Sequence, residues 1–233
     1  GLEAERLYQI DQSVLSGRPL LALVDPSSYW QRTNSPGAGM MGMQGPDTSS
    51  SLERLFGAYG IEVTTDRVVA DPALASPVST GRGMPAVPYP VWMSLPGGDP
   101  ENPVTANLEQ LLFAEAAAVR LAEDTELELT PLVWTSEEAG LLDARTAAMV
   151  PPQSLVRSLG EQRSREVLAA VMEGPLESAF PEGPPADGEE AVESGDEASA
   201  EDADTVGHLA ETGPGGHVRQ VKGGFSFRMD FIG

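Results

Sequence analysis

The residues best placed for chemistry in this sequence are Asp25, Ser27 and Ser28, which follow the apolar run LLALV in the stretch VDPSSYW, residues 24 to 30. A carboxylate and two hydroxyls at the carboxyl end of a buried strand stand where open α/β sheets bind their ligands. Either serine would need a base to become a nucleophile, and in a Ser-His-acid arrangement that base is an imidazole. The sequence offers two, His208 and His217, the first inside an acidic tract and the second at its Gly-rich edge. The same turn also has an ordinary structural use, because Asp caps nearby amides and Pro stops a strand.

A second motif, GAGMMG at residues 37 to 42, spells G-x-G-x-x-G. A dinucleotide loop of this form must leave a strand directly and open a helix whose first N–H groups hold the pyrophosphate. Here the strand ends near Val24, about a dozen residues too early, and Gly45-Pro46 follow the third glycine at once. Glu62 lies where a ribose-binding acid would, but it does not repair that geometry. The motif reads as a methionine-bearing surface loop, and no cofactor is expected.

Metal and nucleic-acid chemistry are disfavoured as well. The tract GEEAVESGDEASAEDADT lacks the D-x-[DN]-x-[DN]-G order that sets calcium ligands around a glycine turn, so no metal site is expected. A net charge of -22 with only 14 scattered Lys and Arg argues against binding a phosphate backbone or an anionic membrane surface. With no cysteine, disulfides, thiolate metal sites and a cysteine nucleophile are excluded. Single tryptophans on strands usually fill a core, but Trp30 and Trp92 join Tyr29, Asp25, Ser27 and Ser28 as candidate ligand or partner contacts.

The elements that must position these residues follow from apolar spacing. Leu2, Leu7, Ile10, Val14 and Leu15 recur at helical intervals, with Gly17 just past the helix end, and LLALV then reads as a strand buried on both faces. SSSLERLFGAYG gives a second helix, with Ser50 as N-cap, Leu52, Leu55, Phe56 and Tyr59 inward, and Gly60 as terminator. IEVTTDRVVADP supplies one or two β-rich pieces, which completes a helix, strand, helix, strand cadence typical of an α/β sheet. VPYPVWMSL is expected on an edge or in an irregular ladder because of its prolines, and ELELTPLVWTS is a further strand. VTANLEQLLFAEAAAVRLAED is open between helix and strand. The stretch 152–174 reads as part loop and part helix, with Val167, Leu168, Val171 and Met172 on an inner face.

The order of these segments resembles the extracytoplasmic domain of the GldG family, the auxiliary component of an ABC-type transport system associated in some bacteria with gliding motility. The resemblance rests on IDQSVLSGRPLLALVDPSSYW, SSLERLFGAYGIEVTTDRVVADPALASPV, YPVWMSLPG, NPVTANLEQLLF and LTPLVWTSEEA, and it spans residues 7 to 180. It implies a Rossmann-like three-layer α/β sheet with flanking helices, akin to the glutamine-amidotransferase-like fold. It also implies a place outside the cytoplasmic membrane, anchored by transmembrane helices of a longer protein, beside an ABC permease and its ATPase. The family brings no catalytic residues to carry over.

The expected organisation is an α/β domain over residues 1–180, an acidic disordered insertion over 181–216, and a strand within 217–233 returning to the same domain. The residues 180–216 carry eleven acids and no Lys or Arg, half of the net charge, and too few large apolar side chains to offset the entropy of ordering. Because the sequence opens directly on a helical pattern, it is expected to be a piece of a longer protein. The expected function is a non-enzymatic auxiliary domain acting by protein contact or ligand capture. The alternatives are a serine hydrolase built on Ser27 or Ser28, and a small-molecule receptor.

Overall fold

A computed structural model describes residues 2–29, 52–79, 83 and 85–186, together with the backbone of 227–232. Helix α1 (Ala4–Leu15) buries Leu7 and Val14 as its spacing predicts, and it also buries Asp11 on the same face. Gly17 follows at φ 86°, a left-handed conformation suited to the helix end. Strand β1 (Leu20–Leu23) comes next. Helix α2 (Glu53–Tyr59) turns Leu55, Phe56 and Tyr59 inward and stops at Gly60, whose φ of 71° favours glycine. Its N-cap is Leu52, with no side-chain cap; Ser50 lies outside the described residues.

From there to Asp143 the regular elements among the described residues are all strands: β2 (Ile61–Val63), β3 (Arg67–Ala70), β4 (Ala75–Val78), β5 (Val87–Leu95), β6 (Leu111–Ala114), β7 (Val119–Leu121), β8 (Glu128–Trp134) and β9 (Gly140–Asp143). Two short helices follow, α3 (Ala144–Met149) and α4 (Pro152–Ser158), and then β10 (Val167–Gly174) and β11 (Phe227–Ile232). The largest sheet has the order β1-β11-β10-β8; the others are β2-β7, β3-β9 and β4-β5-β6.

This architecture overturns the Rossmann-like three-layer reading. A wound parallel sheet needs a crossover of a dozen or more residues, usually a helix, between successive parallel strands, and no described helix separates any two strands from β2 to β9. Among the described residues all pairings are antiparallel except β1 with β11. In the β4-β5-β6 sheet the prolines limit the pairing, since each removes a ladder donor. Pro88 faces Pro77 across β4 and β5, and β6 pairs only with the proline-free end of β5, from Trp92 to Leu95. β5 is thus the middle strand of its sheet, with a register shift against β4 rather than a place at an edge.

Two local expectations also fail. β1 is buried on one face, with Leu21 and Leu23 more than half exposed. The segment read as helical around Val167 to Met172 is strand β10, in which Leu168 to Met172 are all buried. A continuous apolar run buried on both faces satisfies either period.

The core lies in three groups: Leu55, Tyr59 and Met172 under α1 and α2; Met93, Phe113 and Leu168 between sheets; and Val68, Val91 and Leu155 beneath α4. Among the described residues no helix is long and apolar enough to cross a membrane.

Candidate functional site

The turn after β1 keeps the capping geometry that its composition suggests. Asp25 is half-buried, and its Oδ1 accepts the Ser27 backbone N–H at 3.2 Å, closing an Asx turn. Pro26 and Ser27 are buried behind it, whereas Tyr29 is exposed. The Tyr29 ring meets Trp92 of β5 edge-on, with centroids 5.1 Å apart, and Trp92 lies 5.8 Å from Tyr89. Two candidates far apart in sequence, Tyr29 and Trp92, are therefore in contact. Among the described residues the buried Trp92 indole Nε1 finds no hydrogen-bond partner, and a donor left so costs about 1–3 kcal/mol. Trp30, His208, His217 and GAGMMG lie outside the described residues.

Next to the turn, a cleft of about 400 Å³ opens between α2 and the β2-β7 ribbon. Val24, Phe56 and Ile61 form its apolar wall, and Gly57, Glu62 and Arg120 border it. Glu62 and Arg120 are register partners on β2 and β7, yet the Arg120 guanidinium reaches instead to Glu166, Nη2 to Oε2 at 2.6 Å. Glu166 is buried, and its other oxygen accepts the Ser164 hydroxyl at 3.0 Å.

Sequence reasoning missed the buried carboxylates. Asp11 is fully buried; its Oδ1 accepts the Tyr59 hydroxyl at 2.8 Å and the Ala179 N–H at 3.0 Å, and its Oδ2 accepts the Ser178 hydroxyl at 2.7 Å. Burial, then the hydrogen bond to Asp11 and that carboxylate's charge, push the Tyr59 phenol far above its ordinary ionisation range. Asp71, also fully buried, accepts the N–H groups of Ala73 and Ser136, each at 2.8 Å. Glu115 is buried at φ 56°, a backbone region that non-glycine residues rarely occupy. The signal for Asp11 was present: it stands four residues after Leu7 and three before Val14, on the apolar stripe itself.

Among the described residues no group of three or more His, Asp or Glu side chains could hold a metal ion. Asp25 is engaged with a backbone amide of its own turn, and Asp11 and Asp71 bind the chain's own amides and hydroxyls. What these groups present outward is an aromatic contact and a cleft.

The described residues thus define a β-rich domain with a surface cleft, held together by carboxylates buried against its own backbone. A family model described as an ABC-type uncharacterized transport system matches residues 1–206, and the chain belongs to this family of auxiliary components. No match was found among curated proteins or among solved structures.

Proposed function

We propose that this chain is an extracytoplasmic auxiliary domain that serves its ABC-type transport system without catalysis of its own. It works by contact with the permease and ATPase subunits or by capture of a ligand, and is anchored to the membrane through other parts of a longer protein. The observation that carries the reading is the family match over residues 1–206. The segments similar to GldG sequences support the narrower assignment to that branch. Ligand capture is favoured by the cleft beside α2, whose volume of about 400 Å³ falls in the range of small-molecule sites.

Co-purification of the full-length protein from membranes tests the proposal. Permease and ATPase subunits are expected to be retained at stoichiometric levels. A preparation that contains neither removes the transport role.

A further inference from the structure

We draw no further inference here: the strongest candidate, the outer edge of β1 at the end of the largest sheet, where Leu21 and Leu23 are more than half exposed, carries none because nothing in the structure shows what covers it.

Discussion

Replacing Asp11 by alanine should destabilise the chain more than any other substitution of a single polar side chain on α1. Four donors converge on this carboxylate: the Tyr59 hydroxyl, the Ala179 N–H, the Ser178 hydroxyl and the Gln12 side-chain amide. Gln12 is exposed and returns to water. The other three lose their acceptor, and buried donors so orphaned cost about 1–3 kcal/mol each. Ser178 belongs at the low end, because it is only half-buried and its oxygen still accepts the Phe180 N–H at 3.0 Å. The expected loss for Asp11→Ala is then about 3–5 kcal/mol. Asp11→Asn keeps one oxygen for Tyr59 and Ala179 and forfeits the charge, for about 1–2 kcal/mol. Urea unfolding at neutral pH measures both, and thermal unfolding of a chain this size should drop by about 6–20 °C for the alanine variant. An alanine variant within about 1 kcal/mol of wild type would refute the reasoning, since three orphaned donors cannot be that cheap.

Other outcomes follow from the same geometry. The folded phenol of Tyr59 ionises well above its unfolded value of 10.0. Its contribution is therefore complete below pH 10 and falls by about 1.4 kcal/mol per unit as pH rises further. Tyr59→Phe should flatten that slope in urea melts run on both sides of pH 10, and equal slopes would contradict it. Asp143 caps α3 by accepting the Thr146 N–H at 2.8 Å, and this bond holds its carboxyl below the ordinary value. Asp143→Ala should cost about 1 kcal/mol at neutral pH. The cap's contribution is present above the unfolded carboxyl pKa and is lost as pH falls through the lowered one, so melts of the two proteins should converge in acid. A Cβ on Gly98 would lie 2.6 Å from Thr105 Cβ and 2.8 Å from the Leu132 carbonyl oxygen. Gly98→Ala should therefore lose about 1–3 kcal/mol by overpacking, and an unchanged denaturation midpoint would show that the loop yields.

What sequence revealed and what it concealed divides along local and non-local physics. α1 and α2 were legible because a single apolar face at helical spacing, closed by Gly17 or Gly60, depends on neighbouring residues alone. β10 was not, because LAAVM is apolar throughout and only its partners β8 and β11 make it a strand. The wound-sheet reading extended the cadence of the first segments over a proline-rich region that pairs antiparallel. At the site, Asp25 and Ser27 declared themselves by turn chemistry, and Tyr29 and Trp92 were named without any indication that they touch. The pairing of Arg120 with Glu166 joins residues 46 apart, and nothing in the spacing of either announces the other.

The largest sheet has a consequence for the order of assembly. β11 sits between β1 and β10, and its pairing with β1 joins positions about two hundred residues apart. Closing so long a loop is entropically costly and slows folding. During synthesis, β1 and the facing side of β10 remain open edges until residues 227–232 leave the ribosome, and such edges invite pairing with other chains. This strand therefore governs when the nascent chain is safe from aggregation, well before it adds anything to the finished molecule.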